Sequence, residues 1–256
     1  MKSIGIRSLC ILLLSFTFLI LISFSMPDNF RSQQQKFPRV KGAYEEKEKL
    51  VKELFSAKGI EPGSADIFIR AFKKEAQLEV WAKNHSESVF KLVRTYPICA
   101  SSGELGPKRK QGDSQVPEGF YEIDRFNPSS NYYLSLGLNY PNASDKILGE
   151  KGNYGGDIFI HGNCVTIGCM PLTDDKIKEV YLMAVDARSG GQQKIQVHVF
   201  PCRMDAAGMK NLETKFSDKT ALIAFWKNIQ TGYNFFEEKH SLPAVSVLAS
   251  GEYFFK

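Results

Sequence analysis

The chain of 256 residues lacks a large excess of charge of either sign, and cysteine is scarce. Lys and Arg number 33 against 28 Asp and Glu, and the resulting formal net charge of +5 excludes the strongly basic footprint of a nucleic-acid-binding protein. Five cysteines exclude a small scaffold held by disulfides, and a hydrophobic fraction of 43% excludes a disordered chain. The sequence therefore predicts an ordinary globular protein of one decorated domain or two small ones, with no nucleic-acid partner.

Long apolar runs are absent except at the N-terminus. Residues 1–25 start with a short basic stretch and continue with an uncharged apolar run over residues 9–24. This pattern is typical of a secretory signal, and Ser25 could precede the cleavage site. The run is almost long enough to cross a bilayer, so an uncleaved anchor with inner-membrane association through residues 4–25 stays an alternative. Either interpretation predicts a periplasmic or otherwise extracytoplasmic protein.

The rest of the chain divides into three parts. Residues 26–62 are predicted to form a polar linker, without periodicity up to residue 42, and then a helix over 44–58. Residues 63–203 are predicted to form the main domain, and residues 204–256 a C-terminal extension of that same domain with one helix and a last strand.

The main domain is rich in runs of β-branched and aromatic residues, which predict strands. These runs span residues 66–73, 77–83, 89–98, 120–124, 132–138, 157–161 and 194–200. Periodic apolar residues after Asp174 predict one helix, capped by Thr173 or Asp174 and ended by Gly190. The extension adds a helix over 217–236 and a strand over 243–255. The predicted fold class is mainly β with flanking helices, α+β.

One segment, residues 158–175, carries side chains suited to nucleophilic chemistry. His161 ends a predicted strand and Cys169 follows eight residues later before a predicted helix, so one loop can bring base and thiol together. We expect the helix N-terminus to favour the thiolate of Cys169 and its free amides to hold an oxyanion. Gly168, without a side chain, lets a substrate carbonyl approach the backbone.

These residues resemble the signature of the YkuD-type L,D-transpeptidases, in which a strand-end His-Gly is followed by a loop and then by Ser/Thr, any residue, Gly and Cys. The matching residues are His161, Gly162, Thr166, Gly168 and Cys169. The resemblance implies a YkuD-like β-sandwich catalytic domain without a cofactor. It also implies that Cys169, His161 and Gly162 are catalytic, and that Gly168 and Thr166 support the oxyanion.

A second stretch upstream extends the resemblance to about residues 66–201, closest to the YafK/DpaA-like subgroup. It implies substrate-binding roles for four residues, Lys108, Asp113, Glu118 and Tyr121. The implied substrate is a peptidoglycan stem peptide, attacked at the L-centre of diaminopimelate, and a wall-attached lipoprotein is a further implied partner.

The direction of the reaction stays open at this point. The loop between His161 and Cys169 is shorter than in the main family, and Met170 and Pro171 replace the apolar residue and Arg or Asn that often follow the nucleophile. Both departures favour hydrolysis of a protein or peptide link to peptidoglycan, as in a DpaA-like amidase. A transpeptidase that forms 3-3 crosslinks or attaches proteins is the alternative.

A different class of function is also compatible with the residues. His161, Cys164, Cys169 and Cys202 are ligands of the kinds that zinc binds, so a zinc or redox module is a further alternative, although their spacing is not a common zinc pattern. The four cysteines beyond the export segment also allow disulfides, whose pairing the sequence does not give. Cys164 is predicted to be structural.

Overall fold

A computed structural model of the chain describes residues 29–256. The predicted export segment, residues 1–25, lies outside this range. Within it, none of the helices combines the length and the hydropathy that crossing a membrane requires.

The described residues form six helices and ten strands. The helices are α1 Phe30–Gln34, α2 Pro38–Ser56, α3 Ala143–Leu148, α4 Asp174–Ser189, α5 Ala206–Lys215 and α6 Thr220–Lys239. The strands are β1 Ala65–Phe72, β2 Gln77–Asn84, β3 Lys91–Pro97, β4 Gly119–Asn127, β5 Ser135–Leu138, β6 Phe159–His161, β7 Met170–Pro171, β8 Gln196–Phe200, β9 Val245–Val247 and β10 Tyr253–Phe255.

Eight strands form one hydrogen-bonded sheet in the order β3-β2-β1-β8-β4-β5-β6-β7, and β9 and β10 form a separate hairpin. The pairs β1–β8 and β6–β7 are parallel, and the other pairs of the large sheet are antiparallel. With helices beside a mixed sheet, the predicted α+β class with flanking helices is confirmed.

Helix α4 is the centre of the main core, because nine of its residues are buried. Its N-cap is Thr173, whose side chain accepts a hydrogen bond from the backbone N–H of Lys176, as the sequence predicts. Helix α2 packs on it, and the Tyr44 hydroxyl donates to Asp186 Oδ1 at 2.6 Å. This packing fixes the helix that follows the segment of the candidate nucleophile Cys169.

The N-terminal polar stretch is more helical than the sequence predicts. Asn29 caps α1 by accepting from the backbone N–H of Ser32, and α2 begins at Pro38, six residues before the predicted start. Proline suits the first turn of a helix because its missing N–H would have no partner there. The sequence of α1 is short and mainly polar, so apolar periodicity does not predict this helix.

The C-terminal extension packs against the sheet through a second core cluster. Trp226 of α6 is fully buried in this cluster together with Phe72 of β1 and Phe200 of β8. The predicted last strand is wrong as a single element, since a turn with Gly251 at φ 89° folds it into the β9–β10 hairpin. Helix α5, which the sequence analysis missed, lies before α6 and contributes Met209 to the cluster.

Candidate active site

His161 lies at the end of β6, with only 1% of its surface exposed. Its Nδ1 is 2.5 Å from the carbonyl oxygen of Gly162. A carbonyl oxygen only accepts, so Nδ1 carries the proton and Nε2 of the neutral ring is free to take one. Burial lowers the pKa of His161, and the hydrogen bond to Gly162 acts in the opposite direction. The imidazole is therefore a neutral base at pH 7.

Tyr132 packs on the imidazole and was missed by the sequence analysis, which placed it in a strand. The two ring centroids are 4.6 Å apart, and the tyrosine is 42% exposed. One face of the base is thus covered by an aromatic ring that also borders solvent. No motif singles out Tyr132, because it belongs to the loop before β5 and becomes a neighbour of His161 only through the β5–β6 pairing.

Gly162 is enclosed by its neighbours. A Cβ atom at this position would lie 2.5 Å from Oδ1 of Asp174 and 2.9 Å from the carbonyl oxygen of Tyr132. Asp174 Oδ1 accepts a hydrogen bond from the backbone N–H of Asn163 at 2.8 Å. The first residue of α4 therefore anchors the loop that leaves His161, and only glycine fits beside the anchor.

Cys169 is half-exposed and directly precedes β7. The Thr166 hydroxyl holds the turn before it: Oγ1 accepts from the backbone N–H groups of Cys169 (2.8 Å) and Gly168 (3.2 Å) and donates to the carbonyl oxygen of Cys169 (2.8 Å). Thr166 thereby fixes the position of the thiol. An oxyanion that used these two amides would have to displace the Thr166 hydroxyl.

The predicted position of Cys169 at a helix N-terminus is wrong. Met170 and Pro171 pair with β6 as strand β7, so α4 begins only at Asp174. The field of a helix acts mainly within its terminal turn, and it does not reach a thiol that precedes an intervening strand. Burial raises the pKa of Cys169 above its usual value, although a backbone hydrogen bond from Phe159 and the charge of Lys108 act in the opposite direction. The resting thiol is therefore protonated at neutral pH.

The strand register brings the thiol and the base to the same side of the sheet. In the parallel β6–β7 pair Ile160 is opposite Met170, which places Cys169 beside Phe159, two residues before His161. Alternate side chains of a strand share one face. In the described chain the thiol donates to the carbonyl oxygen of Asp157, with Sγ and O 3.5 Å apart, and not to His161. Proton transfer therefore requires the thiol to turn away from Asp157.

A cavity of about 370 Å³ opens beside the thiol. Its walls come from the segment after β3, from β7 and from the end of α5. We call it the thiol cavity, and residues 98, 101–105, 169, 170 and 215 are among those that line it.

A disulfide joins Cys164 to Cys99, with their Cα atoms 5.5 Å apart. The predicted structural role of Cys164 is confirmed, and the bond ties the loop of residues 162–168 to the segment after β3. It also contradicts the zinc alternative, since Cys164 has no free thiol and Cys202 is buried in the second core cluster. In residues 29–256 no cluster of three or more His, Cys, Asp and Glu side chains has an arrangement that could hold a metal ion.

Two of the four residues with implied substrate roles form a buried ion pair near Cys169. Lys108 is 5% exposed, and its Nζ lies 2.5 Å from Oδ1 of Asp113. Asp113 Oδ2 also accepts from the backbone N–H groups of Arg109 and Lys110. Burial raises the pKa of Asp113, but these donors together lower it below its usual value. The ion pair and these hydrogen bonds hold together the loop of residues 108–113, which precedes β4.

The other two residues lie deeper. Glu118 is fully buried, pairs with Lys73 at 2.9 Å and accepts from the Trp226 indole N–H at 2.8 Å. Tyr121 is 3% exposed, and its hydroxyl donates to Asp145 Oδ2 at 3.0 Å. All four implied substrate residues thus have partners inside the protein. Their role as substrate contacts stays a prediction, and Glu118 supports the cavity wall through its ion pair with Lys73.

The chain is similar to known proteins of one family. The model of the YkuD family, the L,D-transpeptidase catalytic domain, matches residues 66–197. The chain belongs to the L,D-transpeptidase family. YafK of Escherichia coli K12, which is named as an L,D-transpeptidase, is 38% identical over 190 residues, covering 73% of this chain and 72% of YafK. The protein of the same name in E. coli O157:H7 matches equally. The chain is accordingly an enzyme of this family.

Solved structures of more distant proteins are also similar. Pgp2, a helical cell shape determining protein from Campylobacter jejuni, is 19% identical with a TM-score of 0.43, covering 72% of this chain and 73% of Pgp2. Bd1075 from Bdellovibrio bacteriovorus is 18% identical with a TM-score of 0.39, covering 71% of this chain and 76% of Bd1075. The family assignment does not depend on these two likenesses.

Proposed function

We propose that the chain is an exported cysteine enzyme that cleaves a bond at the L-centre of diaminopimelate in peptidoglycan stem peptides. The observation that carries this proposal is the half-exposed thiol of Cys169 at the thiol cavity, on the same side of the sheet as a buried neutral imidazole. The family gives the substrate class, and the predicted export segment gives a periplasmic or otherwise extracytoplasmic location.

The reaction begins when the thiol turns from Asp157 and gives its proton to Nε2 of His161. Sγ of Cys169 attacks the carbonyl carbon of the L-centre, and a tetrahedral oxyanion forms. When the C–N bond breaks, the imidazolium returns the proton to the leaving amine, and a thioester remains on Cys169. His161 then takes a proton from water, whose oxygen attacks the thioester carbonyl. When the C–S bond breaks, a carboxylic acid is released and the imidazolium returns its proton to the thiolate of Cys169. The carbonyl of Gly162 stabilises the imidazolium in both steps.

Hydrolysis is favoured over transpeptidation by the loop of residues 162–168. It has seven residues, its middle is bonded to Cys99, and Val165 and Ile167 point their side chains to solvent. A loop this short and this anchored does not fold over the thioester as a lid, so water reaches the acyl group. The leaving group in this proposal is an amine of a protein or peptide, such as a wall-attached lipoprotein. The alternative product is a 3-3 crosslink.

The test supplies a stem peptide whose diaminopimelate L-centre is amide-linked to a lysine-containing peptide, together with rising concentrations of an amine acceptor. Mass spectrometry quantifies the free acid and the crosslinked product. We expect the free acid to dominate at modest acceptor concentration. Dominance of the crosslinked product would establish transpeptidation instead, and no turnover of either kind would contradict the proposed substrate.

A further inference from the structure

The thiol cavity is lined by the Cys169 thiol, by apolar side chains and by charged side chains. Cys169 borders it, and six apolar residues that are buried or half-buried line it, which we call its apolar floor: Ala71, Ile98, Ala100, Leu105, Val116 and Met170. Glu104 and Lys215 also line it but are exposed, so they lie at its rim. A ligand that fills the cavity would contact a nucleophile, an alkyl-binding floor and two opposite charges.

Lys73 lines the same cavity, but its ammonium is already used. Nζ pairs with Oε1 of Glu118 at 2.9 Å and donates to the carbonyl oxygens of Gly106 (2.7 Å) and Val116 (3.0 Å). Three donors for three acceptors leave nothing for a ligand. Lys73 therefore supports the wall.

Lys215 and Glu104 differ from Lys73 in this respect. Lys215 is the last residue of α5, and its Nζ lies 5.3 Å from the centroid of the Phe216 ring. Within residues 29–256, Lys215 forms no ion pair with any carboxylate, and Glu104 forms none with any cation. The rim thus presents one ammonium and one carboxylate whose charges no neighbour neutralises.

Ser102 adds an independent sign of a site for polar groups. It lines the cavity, and its buried Oγ has no hydrogen-bond partner in the described chain. A buried hydroxyl without a partner is costly. A polar ligand group in the cavity would satisfy it after rotation of the side chain about χ1.

The side chain of diaminopimelate carries groups that match these kinds of lining residue. From the L-centre, whose carbonyl Cys169 attacks in the proposed function, three methylene groups lead to a D-centre that bears an ammonium and a carboxylate. We propose that the thiol cavity binds this side chain, with the methylene groups on the apolar floor, the D-centre carboxylate at Lys215 and the D-centre ammonium at Glu104. This inference rests on the proposed function and assigns its specificity. Lys215 lies outside residues 66–197, so the C-terminal extension supplies this contact to the family's domain.

The test compares stem peptides that differ only at the third position: diaminopimelate, diaminopimelate amidated at the D-centre carboxylate, and lysine, which lacks that carboxylate. The variants of the full chain are Lys215→Ala and Glu104→Gln. Lys210→Ala is the matched control, because Lys210 is an exposed lysine of α5 that does not line the cavity. The rate of Cys169 alkylation in each variant reports whether the site is intact.

We expect wild type to prefer the diaminopimelate peptide, and Lys215→Ala to lower kcat/KM on it about tenfold, the size of one charged hydrogen bond. The same variant should change kcat/KM on the amidated and lysine peptides little, so the preference for the diaminopimelate peptide disappears. Glu104→Gln should lower kcat/KM on all three peptides, because all three carry the ammonium. Lys210→Ala should leave kcat/KM on each peptide unchanged. If Lys215→Ala and wild type showed the same ratio of kcat/KM between the diaminopimelate peptide and the other two peptides, the inference would be overturned.

Failure of the proposed function is distinguishable from failure of this inference. Calorimetric binding of the tripeptide that ends at diaminopimelate requires no turnover, and the cavity assignment predicts that Lys215→Ala weakens it about tenfold. If wild type cleaves none of the peptides but binds this tripeptide through Lys215, only the proposed reaction fails. If cleavage proceeds and neither binding nor kcat/KM responds to Lys215→Ala, only the cavity assignment fails.

Discussion

Cys99 and Cys164 are covalently joined across the candidate active site, and this bond ties the loop between His161 and Cys169 to the segment that forms one wall of the thiol cavity. It closes a loop of 65 residues in the unfolded chain, which by the chain-entropy account stabilises the fold by about 4 kcal/mol. We predict that Cys99→Ser combined with Cys164→Ser lowers the unfolding temperature by several degrees and reduces turnover. Thermal unfolding of the wild type and the double variant measures this effect. The same unfolding temperature for both proteins would show that the bond is dispensable.

The ionisation of the nucleophile gives a second prediction. Because burial raises the pKa of Cys169, the thiolate is a minor species at neutral pH, and the rate of alkylation by iodoacetamide should still be rising at pH 9. The measurement uses Cys202→Ala, which removes the other free thiol; the pKa of Cys202 is itself raised to about 11 by burial. A plateau already reached at pH 6 to 7 would instead indicate a preformed thiolate and imidazolium pair.

A third prediction separates the two roles that a base could have. His161→Ala should lower kcat by about 10² to 10⁴, the usual effect of losing a positioned acid or base. Alkylation of Cys169 at neutral pH should change far less, because the resting thiol donates to Asp157 and not to the imidazole. If alkylation and turnover fell in parallel, the thiol would be activated by His161 before substrate binds.

The fourth prediction concerns the glycine that follows the base. Gly162→Ala should destabilise the fold by about 1–3 kcal/mol, because the new methyl group overlaps Oδ1 of Asp174 at 2.5 Å. The control is Gly42→Ala in α2, where nothing lies within 4 Å of an added Cβ and alanine should be neutral or stabilising by roughly 1 kcal/mol. Urea unfolding of both variants gives the free energies. A Gly162→Ala variant as stable as wild type would show that Asp174 moves aside at little cost.

Much of the fold follows from local patterns in the sequence. Runs of β-branched and aromatic residues predict seven of the eight strands of the large sheet, and the stripe from Ile177 onward predicts α4 with its cap at Thr173. These features are predictable because hydrophobic periodicity and capping act over a few residues. Helix α1 and the β9–β10 hairpin depend on caps and turns within polar or short segments, where periodicity is weak.

The candidate site was predictable where it is a motif and not where it depends on tertiary pairing. His161, Gly162, Thr166 and Cys169 lie in one segment, so the sequence identifies them together. The pairing of Met170 with Ile160 creates β7 and moves the start of α4 away from the thiol, which no local pattern signals. The same is true of the Cys99–Cys164 bond and of Tyr132 on the imidazole.

Formation of an acyl-enzyme on Cys169 is tested most directly by intact-mass spectrometry of the protein. After incubation with a carbapenem, an acylating β-lactam, wild type and Cys202→Ala should each gain the mass of one acyl group, which peptide mapping places on Cys169. Cys169→Ala should gain no mass and should not cleave stem peptides. An adduct on Cys169→Ala, or near-normal cleavage by that variant, would contradict the account.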